Sequence, residues 1–206
     1  MPKIQGLPRA SQHIARKVTQ NAFRGFDFAE DSGTPLNIYV VVNMRETAAK
    51  SAGTCFAEVH HKYRDWLCYK QRANTAPVRP ICVATQEHPV SGYPHFNWVL
   101  HVPPALIPEF RAKLPGWVAK VLGIVGPFDV KIKTVTPSTA KRLANYILKG
   151  TDPAFIDHFH LRKLYDRHGP QGTVYGKRAF ISMAIGVAAR RQAGWTKRRR
   201  RNLPRV

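Results

Sequence analysis

The stretch SGYPHFNWVLHVPP, residues 91–104, sets a histidine and an asparagine into an otherwise apolar run. Residues two apart on a strand project to one face, so His95 and Asn97 share a face while Phe96 and Trp98 point to the other. Upstream, Glu87 closes a second strand-like segment, PVRPICVATQE (77–87), and residues 88–94 connect the two. A hairpin of this kind brings Glu87 to the start of the next strand, beside His95. One imidazole nitrogen, one carboxylate and one amide oxygen make a mixed, fairly hard ligand set, which favours Mg²⁺ or Mn²⁺ over structural zinc. Tyr146 and Lys149 lie three residues apart in STAKRLANYILKG, and on a helix that spacing puts hydroxyl and ammonium on one face. A phenol is a poor nucleophile at neutral pH until its charge is stabilised. A lysine one turn away and a nearby divalent cation provide that help, and both steady the charge that develops on a phosphate.

The elements that must position these groups are legible in outline. LNIYVVVNM (36–44) is apolar and β-branched, a buried strand. AGTCFAEVHHKYRDWLCYKQR (52–72) places Phe56, Val59, Tyr63, Trp66 and Leu67 at helical spacing. Strands are expected at 77–87 and from His95 onward, then a helix over 104–122 that Pro108 and Pro115 should break or kink. PFDVKIKTV (127–135) alternates Phe128, Val130 and Ile132 with charged residues, as a half-exposed strand does. The tyrosine helix is expected to start at Ser138 or Thr139 as N-cap and to stop at Gly150. The order β–α–β–β–α–β–α predicts an α+β fold, a ferredoxin-like or RRM-like antiparallel sheet with helices packed on one face. Residues 1–35 read as a basic N-terminal arm with a short amphipathic helix near 11–24, 36–195 as the functional domain, and 196–206 as a flexible basic tail.

The ordered combination of a glutamate, a turn, PHFN in an apolar strand and YILK on a helix about fifty residues later resembles the HUH endonucleases. It is most similar to the single-tyrosine rolling-circle replication initiators of plasmids and phages. LNIYVVVN occupies the place of that family's first motif, and GKRAFISMAIG with AARRQAGW its closing segment. The resemblance implies that His95, Asn97 and Glu87 hold a divalent cation that polarises the scissile phosphate. It implies further that Tyr146 attacks to give a 5′-phosphotyrosine and a 3′-hydroxyl that primes replication, with Lys149 orienting tyrosine or phosphate. The family usually carries histidine where this chain has Asn97, whose shorter carboxamide must then serve as the oxygen ligand. His158 and His160 in IDHFHLRK form a second histidine–hydrophobe–histidine pattern, the alternative a relaxase-like reading would use. Their surroundings are polar and lack a strand's apolar run.

Bulk properties fit a polyanion partner. The 206 residues carry 33 Lys plus Arg against 12 Asp plus Glu, a net charge of +21, and such an excess bears on association rather than fold. Lys141 and Arg142 flank the tyrosine, and Arg190, Arg191, Lys197, Arg198, Arg199 and Arg200 gather toward the C-terminus as candidate phosphate contacts. The expected partner is single-stranded DNA at a replication origin or hairpin. The sequence contains no GxxxxGK[ST] phosphate loop, so a separate host helicase is expected as well. Cys55, Cys68 and Cys82 have neither CxxC spacing nor an even count, which points to a reducing interior and argues against a disulfide framework. No apolar run approaches a membrane span and no secretory leader is legible, so a cytoplasmic or host-intracellular location is expected. A non-catalytic nucleic-acid-binding protein on the same fold is the reading from another class, and a related transposase the nearest one in chemistry.

Overall fold

In the computed structural model, which describes residues 9–46, 50–72, 79–89 and 92–196, strict alternation along three strands decides the architecture. The elements run β1 (Ala10–Ser11), α1 (Arg16–Asp31), β2 (Ile38–Asn43), α2 (Ala52–Arg72), β3 (Cys82–Glu87), β4 (His95–Leu100) and α3 (Ile107–Leu122). They continue with β5 (Val130–Thr134), α4 (Pro137–Ile147), α5 (Arg162–His168), β6 (Val174–Tyr175), β7 (Ala179–Ile181) and α6 (Val187–Gln192). Five strands form one antiparallel sheet in the order β5-β2-β4-β3-β7. β1 and β6 pair separately. The protein is therefore α+β, and the expected order from β2 to α4 is reproduced element by element.

One face of the sheet carries Ile38, Val40, Val42, Cys82, Ala84, Phe96, Trp98 and Leu100 against α2 and α3. The Phe56 and Phe96 rings stack at 4.0 Å, and Trp98 meets Tyr63 edge-on at 5.1 Å. Offset and edge-to-face contacts of this kind add to area burial. This is the larger part of the core, and α2 supplies it from the residues whose helical spacing marked them.

The expectation of helices on a single face is corrected here. Val83 and Val99, pointing the other way, pack with Ala22, Phe28 and Ala29 of α1, Ile147 of α4, and Leu148, Ile156, Leu161 and Ile185. Helices thus cover both faces. Residues 9–35 belong to this second core and are no separate arm: the helix runs to Asp31, well beyond 24, and Ile14 bridges Thr151. The expected tail lies mostly outside the described residues.

Local chemistry accounts for other departures. α4 is capped by Thr136, whose side chain and that of Thr139 form a reciprocal capping box, with Pro137 at the first position. The proline needs no N–H there, so the start falls two residues earlier than Ser138. The helix ends at Leu148, before Gly150. A Cβ on Gly150 would meet Gln171 Cγ at 3.2 Å, so this glycine permits close packing rather than stopping the helix. Pro108 sits at the start of α3, and Pro115 lies inside it without ending it. Phe110, Leu114 and Val118 are fully buried on either side of Pro115, and that packing holds both halves to the sheet. β7, unrecognised in the sequence, adds the fifth strand through Val83–Ile181 pairing. No helix among the described residues is long and apolar enough to cross a membrane.

A candidate catalytic cluster on the second face

The β3–β4 register sets Glu87 directly opposite His95 and Thr85 opposite Asn97. With a strand period of two, Glu87, His95 and Asn97 share the face that carries Val83 and Val99. Glu87 Oε2 lies 3.1 Å from His95 Nε2, and Asn97 Nδ2 donates to Glu87 Oε1 at 2.8 Å. α4 approaches the same spot with its C-terminal end. Lys149, one residue beyond the cap, donates from Nζ to Glu87 Oε1. The same ammonium stands 4.1 Å from the centre of the Tyr146 ring. All five expected site residues are therefore joined, with Glu87 as the hub.

Burial controls the electrostatics. Glu87 and Lys149 are among the buried charged residues, and a buried charge is tolerable only when paired. Burial pushes the Glu87 carboxyl up, but the His95 hydrogen bond and the Lys149 ammonium outweigh it and hold the group below its ordinary range. Lys149 is pulled below the ordinary lysine value by burial, with the attraction of Glu87 opposing. Burial, then the Glu87 charge, raises Tyr146. Its phenol is thus protonated at rest and half-buried, its ring edge against His168 at 5.5 Å.

Two participants were not foreseen. Tyr39 on β2 donates its hydroxyl to Asn97 Oδ1 at 2.5 Å, and burial, with the nearby Tyr146 and Glu87, lifts its pKa far above the ordinary phenol value. Its alternation marks it as facing this side, yet only the β2–β4 register brings it to Asn97. Arg178 is buried and donates to the carbonyls of Ser11 (2.8 Å), Gln86, Gln171 and Gly172. It ties β1 and the 171–172 loop to the end of β3. Gly172, at φ +70°, lies so close to His88 that a Cβ would fall 1.7 Å from the His88 carbonyl oxygen. Glycine alone fits there, and this contact braces the residue that follows Glu87.

The donor set fits a divalent cation in part. No group of three or more His, Cys, Asp and Glu side chains gathers among the described residues; the pair that faces inward is the Glu87 carboxylate with His95 Nε2. An ion such as Mg²⁺ takes one or two protein ligands and keeps waters or phosphate oxygens in its other positions, which that pair allows. Asn97 turns its nitrogen to Glu87 and commits its oxygen to Tyr39. It serves as a ligand only with its amide turned over.

The remaining candidates separate. Lys141 and Arg142 are exposed on α4, Arg142 one helical turn before Tyr146. Arg191 is exposed. Arg190 is instead buried and donates to the Ile185 carbonyl and to Asn21, which removes it from the candidate phosphate contacts. Lys197, Arg198, Arg199 and Arg200 lie outside the described residues. His158 and His160 sit in an exposed turn, His160 at φ 57°, away from any strand. His101 bonds the Pro35 carbonyl at 2.8 Å and is structural. A cavity of about 660 Å³ between α1 and α4, lined by Phe23, Phe26 and Lys141 among others, contains none of the five site residues. The chain matches no protein-family model, and no curated protein matches its sequence.

Proposed function

We propose that the protein is a single-tyrosine, metal-dependent DNA nicking–joining enzyme of the HUH endonuclease type, acting on single-stranded DNA to start rolling-circle replication of a plasmid or phage. The observation that carries this reading is the meeting of Tyr146, Lys149, Glu87, His95 and Asn97, drawn from β3, β4 and the end of α4, at one place on an antiparallel sheet. A packing role alone gives no reason for a buried carboxylate, carboxamide and ammonium to share a site with a part-buried imidazole and a half-exposed phenol. Buried ionic groups cost stability that an apolar replacement would not.

In this reading the Tyr146 hydroxyl oxygen forms a bond to phosphorus and the bond to the 3′-oxygen breaks. The phenolic proton ends on the departing 3′-hydroxyl, and the strand remains as a 5′-phosphotyrosine. Lys149 lies over the tyrosine ring and stabilises negative charge on the phenol oxygen and the phosphate. Glu87 and His95 would hold a divalent cation, which would polarise the phosphate. Asn97 orients Glu87, and Tyr39 orients Asn97. Attack by the 3′-hydroxyl reverses the step and joins strands. Origin DNA and a separate helicase are the partners this role requires.

Incubation with a library of single-stranded and hairpin DNA in Mn²⁺ or Mg²⁺, followed by a denaturing protein gel, tests the proposal. A covalent DNA adduct in wild type that disappears in Tyr146→Phe is expected. Salt-dependent binding with no adduct under any of these conditions sinks it and leaves a non-catalytic binding protein.

A further inference from the structure

We infer that the open half of the active-site face is the track for the single DNA strand beside the nick. Edge strand β5 supplies the phosphate contacts and the Arg45–Tyr93 corner the base contacts. The inference rests on the nicking reading and adds to it where the substrate lies.

The β5 side chains divide cleanly. Val130 and Ile132 pack against the α2–α3 core, while Lys131 and Lys133 are exposed between them. Pairing puts Lys131 opposite Val41 and Lys133 opposite Tyr39, so both lysines project on the face of Tyr39 and Asn97. Val41 in turn pairs with Asn97. A single row, Lys131–Val41–Asn97, thus runs from the sheet edge into the catalytic cluster, two strand spacings or about 10 Å. Lysines on an edge strand can serve merely to prevent pairing between sheets. Here they also lie in line with a site that takes a polyanion on the nicking reading, and Tyr93 stands at the end of the same face.

At the end of those strands, Asn43 pairs with His95, and the Asn43 amide reaches the Phe128 carbonyl. Arg45 follows, held to Asp129 at 3.2 Å, with its guanidinium 5.0 Å from the centre of the Tyr93 ring. Tyr93 stands two residues before His95. It is 54% exposed. An exposed ring beside a cation is what sequence-tolerant binding of single strands uses: cations follow the backbone while bases stack. The lysines and the exposed Tyr93 ring select one occupant, a single strand whose bases are unpaired, over a duplex, whose bases are stacked on each other.

The test is anisotropy of a labelled single-stranded oligonucleotide across a salt series, with every variant in a Tyr146→Phe background. Lys131→Ala/Lys133→Ala is expected to weaken binding and to lower the slope of log affinity against log salt by about 1.4, since each phosphate contact to a single strand contributes about 0.7. Tyr93→Ala is expected to lower affinity about fivefold or more with the slope unchanged, as lost stacking does. Lys113→Ala/Lys120→Ala removes the same charge from exposed sites on α3, on the opposite face, and is expected to leave the slope as it was. An unchanged slope in the β5 variant, or equal losses in the β5 and α3 variants, overturns the track. So does a β5 variant that changes only self-association, which would make the edge a contact between copies. If the wild-type chain, Tyr146 intact, forms no adduct on any single strand, the nicking reading itself fails; an adduct with an unaltered β5 slope removes the track alone.

Discussion

The two faces of the sheet are built from alternate residues of the same strands, and they solve opposite problems. Toward α2 and α3, Phe96, Trp98 and Leu100 meet Phe56, Tyr63 and Phe110 in an apolar, aromatic layer. Toward α4, His95, Asn97 and Glu87 of neighbouring positions meet Lys149 and Tyr39 in a chain of charges and hydrogen bonds. Each contact on the first face is nearly independent of its neighbours' chemistry. On the second face every group depends on its partner being present, because a buried charge or amide left alone bears its full desolvation cost. The difference teaches where function can reside. The first face supplies the rigidity that lets the second hold polar groups whose arrangement contributes little to stability.

The largest effect expected is on chemistry. Tyr146→Phe should abolish the covalent adduct while leaving the urea midpoint close to wild type, since the Tyr146 hydroxyl makes no hydrogen bond among the described residues. A large drop in stability would instead place Tyr146 with the core. Next, Lys149→Met should cost about 3–5 kcal/mol by leaving Glu87 buried without its ammonium, and Glu87→Gln combined with Lys149→Met should recover most of it. Trp98→Ala on the other face should cost about 3–5 kcal/mol as a cavity. Its loss should add to that of Lys149→Met in urea unfolding; strong non-additivity would blur the contrast between the faces.

Acid unfolding sharpens the comparison further. The folded pKa of Glu87 lies below its ordinary 4.5, so its contribution is complete above 4.5 and is lost as pH falls through the folded value. His60 sits on the apolar side with its ring 5.9 Å from Trp98, and burial, then Arg64 and His61, lower it from 6.5 to about 4. Its folded pKa is also depressed, so its contribution is present above 6.5 and lost as pH falls toward 4. His60→Asn should therefore flatten the decline in urea midpoint between pH 7 and pH 5, whereas Glu87→Gln should flatten only the decline below 4.5. The smallest effect is Tyr39→Phe, expected to cost about 1–3 kcal/mol because it leaves the buried Asn97 oxygen without its donor. A loss of several kcal/mol in the same unfolding experiment would mean that Tyr39 holds the entire network.

Much of this was legible along the chain. Alternation exposed which side of β4 carries His95 and Asn97, helical spacing marked the buried stripe of α2, and the short connection after Glu87 set it against His95. These are local periodicities, and the backbone repeats of 2.0 and 3.6 residues impose them whatever the rest of the molecule does. What failed was non-local. Tyr39 meets Asn97 through the β2–β4 register; Arg190 reaches Asn21 across 169 positions; β7 is three residues long and becomes a strand only because β3 offers an edge. The same limit produced the single-faced helical layer. The apolar stripe of α1 gives no indication of the partner that buries it, and Val83 and Val99 supply that partner only after the strands assemble.

By itself, then, the sequence determined the residue types, their faces and the order of elements from β2 to α4, because side-chain direction follows from backbone geometry one residue at a time. Tertiary structure alone decided that the end of α4 delivers Lys149 to Glu87 and Tyr146 beside it, that Asn97 gives its oxygen to Tyr39, and that both faces are covered. Those outcomes depend on strand register and helix docking. Both are set by the summed packing of two cores, and no single segment encodes that sum.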